Sequence, residues 1–404
     1  MKILLCLLSD QHIPNLLSVH HFKPDRLVLV QSSAMQHKDA AKHFLGGLGC
    51  GGLNFTVEGN CHVEPLEVED NLENVRQCLQ RAYGRYPAEA WVVNLSGGTK
   101  PMSIAAFEFF KAVGARLIYI NFQKPNVLLG LDGHASETCT YRPGIREFLA
   151  GYGFESSKNP EDVAKAEERA KSWWNCALRI AQACPEQPLV RLGDLHDPAV
   201  KQRWDVARKK GLQLEPGLLA PEDSGLRQEL AAAFSLCEAH DGLQGKLDKY
   251  GVDFLTGGWL ESFLWQLLRQ HADALGIWDV RLGIRPAKIG ITTDSDFDVA
   301  FMHDYRLCMV ECKSGSQEHD PGAEILHKVE AVVRQFRALG IRSCLATTSS
   351  NVLGKDGQLR PGIRDRAGIY QCRILPRQGI RELAESPDNT EAVRRLVLGE
   401  SASR

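Results

Sequence analysis

The sequence predicts an α/β protein of more than one domain, and three observations lead to that prediction. Residues 1–150 alternate short apolar runs with amphipathic stretches, the pattern of a parallel sheet covered by helices on both faces. Residues 151–250 change to charged, helix-forming sequence. Residues 251–404 contain a second group of strand-like runs, one of which ends abruptly in charge. We therefore expect three domains with these bounds.

The composition is that of an ordinary globular protein. The 404 residues are 44% hydrophobic and 24% charged, and the net charge of −2 excludes a globally basic nucleic-acid binder while allowing a local basic groove. No apolar run reaches membrane-spanning length, and the N-terminal run is too short for a signal peptide, so we expect no membrane contact. Twelve cysteines without C-x-x-C or zinc-ligand spacing favour reduced thiols in a cytoplasmic protein.

The first domain is expected to be Rossmann-like and doubly wound. Predicted strands are Lys2–Leu8, Arg26–Gln31, Ala90–Leu95 and Arg116–Asn121, and predicted helices are Lys38–Leu48, Asn71–Tyr83 and Met102–Val113. Folds of this kind bind ligands at the carboxyl ends of their strands, beside a topological switch point.

Two of these strand ends carry polar loops, L-L-S-D-Q-H-I-P-N at 7–15 and V-V-N-L-S-G-G-T-K-P-M-S at 92–103. In the second loop, Gly97 and Gly98 leave backbone amides uncovered, a helix N-terminus follows, and Lys100 adds a mobile charge. The loop is suited to an anion, most plausibly phosphate. The alternative is a turn whose glycines serve geometry alone. The spacings of a P-loop and of a dinucleotide-binding G-x-G-x-x-G are absent.

With these two loops, the first domain resembles a CARF domain, the CRISPR-associated Rossmann fold. The resemblance implies a cyclic oligoadenylate ligand, usually cyclic tetra-adenylate, acting as an allosteric activator bound across a homodimer. Symmetry supports the dimer, because a two-fold protein presents the same loops twice to an even-numbered ring. The implied ligand residues are Ser9, Asp10, Gln11 and Asn15 in the first loop and Ser96, Gly97, Gly98, Thr99 and Lys100 in the second.

The middle segment is expected to be a winged-helix-like connector. Helices are predicted within Glu155–Ala183, Asp194–Lys210 and Asp223–His240, with a short extended stretch at Leu212–Leu219. The basic run of Arg203, Arg208, Lys209 and Lys210 is the segment's one sign of DNA contact. A solvated helix face explains that run equally simply.

The last domain contains the stretch S-D-F-D-V-A-F-M-H-D-Y-R-L-C-M-V-E-C-K-S-G at 295–315, which reads as two adjacent strands. Side chains alternate along a strand, so Glu311 and Lys313 share a face while Cys312 points into the core. A hairpin would bring Asp298 beside Glu311. Two carboxylates and one ammonium would then project together from the end of an apolar sheet. The alternative is a strand end with an ordinary surface ion pair.

This arrangement suits phosphodiester hydrolysis, since carboxylates hold a hard divalent cation that polarises a phosphoryl group. The D…E-x-K pattern resembles the PD-(D/E)xK nuclease superfamily. We expect Mg²⁺ or Mn²⁺ held by Asp298, Glu311 and the carbonyl of Cys312, with Lys313 orienting the attacking water. Glu261, in the helix W-L-E-S-F-L-W-Q-L-L, is a further catalytic candidate, or a favourable charge in a helix first turn.

Asp296 is expected either to touch this site or to flank it. A helix is predicted at Gly322–Leu339, with Glu324, Lys328 and Arg334 on its side near the substrate, and strands are predicted at Ser343–Thr348 and Tyr370–Leu375. Arg364 and Arg366 are either contacts to the phosphate backbone or ordinary surface residues.

Taken together, the chain resembles the CRISPR ancillary nucleases that join a CARF domain to a restriction-endonuclease-like PD-(D/E)xK domain. The resemblance implies a nuclease for DNA, RNA or both, activated by a cyclic oligoadenylate in type III CRISPR antiviral defence. One alternative is a ligand-sensing transcription regulator that binds DNA without cutting it. Another is a ring nuclease that degrades its own ligand, although the first loop shows no evident general base.

Overall fold

The computed structural model describes residues 1–121, 124–190, 192, 198–291, 295–315 and 340–400. The helix predicted at Gly322–Leu339, with Glu324, Lys328 and Arg334, lies outside the described residues, as do residues 194–197, the start of the helix predicted at Asp194–Lys210. Within the described residues, no helix is both long and apolar enough to cross a membrane.

The N-terminal part is built around a seven-stranded sheet. Its elements are β1 (Lys2–Leu7), α1 (Ile13–Phe22), β2 (Arg26–Ser32), α2 (Ser33–His37), α3 (Ala40–Cys50), β3 (Cys61–Leu66), α4 (Leu72–Gly84), β4 (Ala90–Asn94), α5 (Lys100–Ala112), β5 (Arg116–Ile120), β6 (Val127–Gly130), β7 (Glu137–Thr138), α6 (Ile145–Gly151) and β8 (Phe154–Ser156). The strand order is β3-β2-β1-β4-β5-β6-β7. The first five strands are parallel, and β6 and β7 continue the sheet antiparallel.

The predicted strands of this sheet are present, and the reason is visible in β1. Leu4 and Cys6 pack into one core cluster, while Ile3, Leu5 and Leu7 pack into another on the opposite face. A strand covered on both faces reads as a continuous apolar run rather than as an alternation. The order of the five parallel strands puts the topological switch point between β1 and β4.

The middle segment has the strand arrangement of a winged helix. Its elements are α7 (Pro160–Ser172), α8 (Trp174–Ala183), α9 (Pro198–Lys210), β9 (Leu212–Leu214), α10 (Ser224–Phe234), β10 (Cys237–Ala239) and β11 (Gly242–Leu247). A β10–β11 hairpin pairs with β9 to form a three-stranded antiparallel sheet. The helix predicted over Asp223–His240 is too long, because Ser235 adopts a left-handed conformation (φ 52°) and the chain then turns into β10.

The C-terminal part surrounds a mixed five-stranded sheet. Its elements are α11 (Lys249–Asp253), a π-helical turn (Phe254–Gly258), α12 (Trp259–Gln270), α13 (Ala272–Leu275), β12 (Ile277–Ile284), β13 (Pro286–Lys288), β14 (Phe297–His303), β15 (Arg306–Lys313), β16 (Arg342–Thr347), a 3₁₀ turn (Ser350–Val352), α14 (Pro361–Ile369), β17 (Cys372–Leu375), α15 (Arg377–Glu385), α16 (Thr390–Val393) and a π-helical turn (Arg394–Leu398). The order is β12-β14-β15-β16-β17, antiparallel up to β15 and parallel beyond it.

The core clusters cross the expected domain bounds. One cluster joins the middle helices to the C-terminal sheet, through residues such as Ile180, Trp204 and Val310. A second cluster joins the N-terminal sheet to the other face of β14 and β15, where Met302 and Met309 lie. The expected bounds at 150 and 250 therefore mark changes in sequence character, while the packing is continuous across both.

Candidate active site and ligand-binding loops

The β14–β15 hairpin brings the predicted acidic pair together. Val299 lies opposite Val310 in the antiparallel register, so the next pair outward is Asp298 and Glu311. One carboxylate oxygen of Asp298, Oδ2, accepts a hydrogen bond of 2.7 Å from the backbone N–H of Cys312. This bond holds Asp298 beside the end of β15, next to the first residues of β14.

Lys313 lies on the same face as Glu311, as the alternation of the strand predicts. Its Nζ is 2.5 Å from Oε1 of Glu311, and both side chains are only partly exposed. Cys312, between them, is buried in the apolar core on the opposite face. The strand end is held by β16, because the N–H of Thr348 donates to the carbonyl of Lys313 at 3.1 Å.

Glu261 approaches the same place from α12. The π-helical turn before α12 passes so close to the end of β15 that a Cβ added at Gly257 would lie 2.8 Å from Oγ of Ser314. Glu261 follows in the first turn of α12, half-buried, while its neighbours Trp259 and Leu260 anchor the helix in the core. The structure thus brings the four predicted catalytic residues together at one end of the inner strands β14 and β15, which we call the edge of the C-terminal sheet.

The pKa shifts show that these carboxyls are crowded. Burial and the charge of Glu311 raise the pKa of Asp298 to about 7, against the lowering effect of the Cys312 N–H. Burial raises the pKa of Glu261 well above its usual range, and the nearby charge of Asp298 raises it further. Burial lowers the pKa of Lys313, but its ion pair with Glu311 outweighs burial and leaves that pKa raised. A divalent cation held by these oxygens would relieve the repulsion between the carboxylates.

Two more acidic residues belong to this environment. Asp253, the last residue of α11, acts electrostatically on Glu261, and the sequence analysis did not single it out. The signal was weak, because Asp253 reaches the site only through the π-helical turn that follows it, and such turns have no clear sequence pattern. Asp296 acts on both Glu261 and Asp298 but is itself exposed and paired with Arg285 at 3.1 Å. It therefore flanks the site.

The two predicted ligand loops meet at the switch point of the N-terminal sheet. They leave the adjacent strands β1 and β4, whose register pairs Cys6 with Asn94. A Cβ added at Gly97 would lie 2.0 Å from the carbonyl oxygen of Leu7, so only glycine allows the two loops this close approach. Gly98 adopts a left-handed conformation (φ 72°), the second position where glycine is needed.

Within the second loop, the side chains divide into internal and outward groups. The Ser96 hydroxyl donates to Oδ1 of Asn94 at 2.6 Å and accepts from the N–H of Ile120 at 2.7 Å, so it holds the loop together. Thr99 donates to the carbonyl of Glu69 at 3.3 Å. Lys100 is exposed at the start of α5 and has no ion-pair partner among the described residues.

Of the four predicted ligand residues in the first loop, Ser9, Asp10 and Gln11 are at least partly exposed and Asn15 is not. Asp10 is exposed and forms an ion pair of 2.6 Å with Lys38, and the Ser9 hydroxyl closes a local turn with Gln11. Asn15, however, is fully buried, and its amide donates to the carbonyl of Leu7 at 2.8 Å. The structure places Asn15 beneath the loops, where it supports them and cannot reach a ligand from solvent.

Asn94 is the centre of that support, and the sequence analysis missed it. Its amide nitrogen lies 2.9 Å from Oδ1 of Asn15, 2.8 Å from Oγ of Ser18 and 3.1 Å from the carbonyl of Pro14. Its Oδ1 accepts from Ser96. A polar residue at the end of an otherwise apolar strand was the available signal.

The first ligand loop and the turn of the hairpin that carries the acidic pair line the same cavity. This cavity, of about 250 Å³, lies between the loop, α6 and the turn of the β14–β15 hairpin. We call the region around it the seam. Its lining includes Gln11, Phe148, Tyr152, Tyr305 and Arg306. The turn itself is tight, since Asp304 (φ 50°) and Tyr305 (φ 59°) are both left-handed.

A second charged cluster lies at the same turn. His303, Asp304 and Glu400 have ligand atoms within 4.8 Å of one another. Arg342, however, donates to Nδ1 of His303 at 3.1 Å and lies 3.7 Å from Glu400. A guanidinium thus already neutralises this cluster, which we interpret as an ion-pair network.

Two family models match the chain. The one described as Card1 CARF domain matches residues 3–147, and the one described as Card1-like, endonuclease domain matches residues 248–366. Together they cover more than half of the chain. No curated protein matches it.

Solved structures share its fold over nearly the full length. Can2 from Sulfobacillus thermosulfidooxidans, solved in complex with cyclic tetra-adenylate, is similar with a TM-score of 0.65 and 18% identity, over 96% of this chain and 100% of that one. Protein VC1899 from Vibrio cholerae is similar with a TM-score of 0.73 and 15% identity, over 97% of this chain and 98% of that one. At these identities the likeness establishes the fold alone.

The support beneath the loops can be tested by Asn94→Ala. The change leaves the buried groups that bond to the lost amide without a partner, so we expect the free energy of unfolding to fall by about 1–3 kcal/mol. Chemical denaturation measures this loss. Gln228→Ala, which removes an exposed amide from α10, serves as the control and should leave stability within about 0.5 kcal/mol. Equal stability of the two variants would contradict the buried network.

The crowding of the carboxyls predicts a pH dependence of stability in the metal-free protein. Burial and the charge of Glu311 raise the folded-state pKa of Asp298 to about 7, above its ordinary value of 3.8. The folded protein therefore binds more protons than the unfolded chain between these values, and stability falls as the pH rises through that window. Asp298→Asn should remove this loss, which is at most about 4 kcal/mol.

Thermal unfolding in EDTA measures the effect. Asp298→Asn should be more stable than the wild type at pH 8 and similar to it at pH 4, about the unfolded value. A variant with the wild-type slope across this range would show that Asp298 is not crowded.

Proposed function

The chain belongs to the family that joins a CARF domain to an endonuclease domain, and we propose that it is a divalent-metal-dependent nuclease switched on by a cyclic oligoadenylate. The observation that carries the nuclease half is the convergence of Asp298, Glu311, Lys313 and Glu261 at one sheet edge. The proposed setting is type III CRISPR antiviral defence.

The donor set fits Mg²⁺ or Mn²⁺, which prefer carboxylate and carbonyl oxygens. Asp298, Glu311 and the carbonyl of Cys312 would hold the cation. The N–H of Cys312 points toward Asp298, and the N–H and C=O of one strand residue point to the same side, so its carbonyl is directed there too. When bound, the cation supplies charge stabilisation at the phosphoryl group and acidifies a water ligand.

Lys313 and Glu261 have supporting roles in this proposal. The ion pair with Glu311 keeps the Lys313 ammonium at the strand end, where it can donate to the attacking water and to a phosphate oxygen. Burial and the charge of Asp298 raise the pKa of the Glu261 carboxyl, which suits it to exchange a proton with water or the leaving oxygen.

Cyclic tetra-adenylate is the proposed activator, and the switch-point loops are its proposed site. The solvent-accessible groups there include Asp10, Gln11 and Lys100, with the amide of Gly98 at the N-terminus of α5, whereas Gly97 is buried against Leu7. Ser9, Ser96, Thr99 and Asn15 would set the shape of the loops. A two-fold dimer would present both loops twice to a ring of matching symmetry.

The seam gives the two sites a physical connection. Gln11 of the first loop and Tyr305 of the hairpin turn line the same cavity. A ligand that shifts the first loop in its bound state would push on the turn of the hairpin, whose far end bears Asp298 and Glu311. Activation then depends on the difference in ligand affinity between the two positions of the loop.

One observation favours a second candidate, a ligand-sensing regulator that binds DNA without cleavage. The β10-β11-β9 sheet with α9 and α10 has a winged-helix arrangement. Incubation with plasmid DNA and Mg²⁺ separates the candidates, because a regulator leaves the backbone intact.

The nuclease proposal is tested by Glu311→Gln. The change keeps size but removes the charge that holds the cation and Lys313, so cleavage of plasmid, single-stranded DNA and RNA should fall by roughly a hundredfold or more. Glu238→Gln, which alters an exposed carboxylate on β10, is the matched control and should cleave like the wild type. Full activity of the Glu311→Gln variant would refute the site.

The switch is tested by Lys100→Ala with Lys111→Ala as its control, since both lysines are exposed on α5 at opposite ends. Loss of a charge-assisted contact to phosphate should weaken binding of cyclic tetra-adenylate by about tenfold. Calorimetry measures this, and metal binding should stay unchanged. If the wild type cleaves at the same rate with and without the ligand, activation by the ligand is refuted.

A further inference from the structure

The helix α9 carries a concentration of unmatched positive charge. Lys201, Arg203, Arg208, Lys209 and Lys210 are all exposed on this 13-residue helix, against one acidic residue. None of the five has an ion-pair partner in the part of the chain that the structure describes. In a chain with a net charge of −2, this helix is a local exception.

The cations are arranged on both flanks of the helix. Trp204 and Ala207 are buried and fix which side faces the core. Lys201 and Arg208, seven residues apart, lie on one flank, and Arg203 and Lys210, also seven apart, lie on the other. Two turns of helix separate the members of each pair by about 10 Å. The guanidinium of Arg208 lies 5.9 Å from the Trp204 ring.

The position of α9 connects it with the candidate active site. It packs against α11. Asp253 ends α11, acts electrostatically on Glu261, and is joined to α12 by the π-helical turn. A polyanion that lies along α9 is therefore brought beside the acidic edge of the C-terminal sheet.

A helix-dipole effect accounts for only part of the pattern. Arg208, Lys209 and Lys210 lie in the last turn, where cations stabilise a helix. Lys201 and Arg203 lie in the first half, where they do not. The other long helix of the winged-helix sheet, α10, offers no alternative, because the guanidinium of Arg227 donates to the carbonyl of Pro221.

We propose that α9 docks duplex DNA, with its outward face in the major groove and one flank against each backbone. The proposal rests on the proposed nuclease function and names the form of its substrate. A helix with side chains is about 10–12 Å across and the B-DNA major groove is about 12 Å wide, so the two strands of phosphates meet the two flanks. A single strand would engage one flank, and the major groove of A-form RNA is too narrow for the helix.

The test is the triple variant Arg203→Gln, Lys209→Gln and Lys210→Gln in the full chain. Its matched control is Lys23→Gln, Lys42→Gln and Lys111→Gln, which removes the same charge from exposed lysines elsewhere. Binding of a labelled duplex of about 30 base pairs is followed by fluorescence anisotropy in EDTA, with cyclic tetra-adenylate, at several salt concentrations. Each lost phosphate contact lowers the log–log salt slope by about 0.9, so the triple variant should lose about 2–3 in slope and at least about tenfold in affinity.

Two results would overturn the proposal. One is a duplex affinity and salt slope equal to those of the control. The other is an equal loss of affinity for single-stranded DNA or duplex RNA, which would remove the assignment to the DNA groove. Lys201→Gln with Arg203→Gln, away from the helix C-terminus, repeats the test if thermal unfolding shows that the triple variant is destabilised.

Cleavage assays separate this proposal from the function on which it rests. The triple variant should raise KM for duplex DNA while kcat stays near the wild-type value. If the wild type cleaves DNA and the triple variant cleaves it equally well, the docking proposal is refuted and the nuclease function stands. Binding that depends on α9 without any wild-type cleavage, in the presence of ligand and Mg²⁺, would remove the nuclease function and leave the surface standing.

Discussion

The structure depends on holding two like charges opposite each other at the end of an antiparallel strand pair. Asp298 and Glu311 face each other one step beyond the buried pair of Val299 and Val310. Directly opposed like charges destabilise a sheet, and burial together with the charge of Glu311 raises the pKa of Asp298. The apolar packing on both faces of the hairpin outweighs the repulsion and prevents the carboxylates from moving apart. A pair of carboxylates held in this way favours any positive charge placed between them.

The same hairpin imposes a constraint on any switch. Its acidic end and its turn are about seven residues apart, or roughly 20 Å along the strands. The turn faces the first ligand loop across the cavity lined by Gln11 and Tyr305. Trp278, on the neighbouring strand, packs edge-on against Tyr305 and donates to the carbonyl of Pro143. In the proposed switch, a displacement at the loop would be passed on as a rigid movement of paired strands, because their hydrogen-bonded register leaves little room for bending between the ends.

Sequence patterns predict this molecule well wherever a local rule decides the outcome. Continuous apolar runs gave the buried strands, and strand alternation placed Lys313 with Glu311 and Cys312 in the core. The edge strand Cys61–Leu66 was missed, since it contains His, Glu and Pro and owes its place to pairing with its neighbour. Asn15 was assigned to the ligand by its position in the loop that resembles a CARF domain. Its burial follows from Asn94, which lies 79 positions away in sequence, and no local pattern reports such a distant partner.

The continuous cores bear on why the middle segment is present at all. A linker that merely separated two domains would need no shared core, and yet Trp204 of α9 and Leu230 of α10 belong to the cluster that supports the C-terminal sheet. Shared packing fixes α9 relative to the carboxylates, since moving it would expose that cluster to water. A surface held in this way can orient a long polyanion across a small site. Contacts along the surface then supply the binding energy, and few are needed at the reacting phosphate. The middle segment is accordingly best understood as part of the catalytic body, with the N-terminal sheet joined to it across the seam.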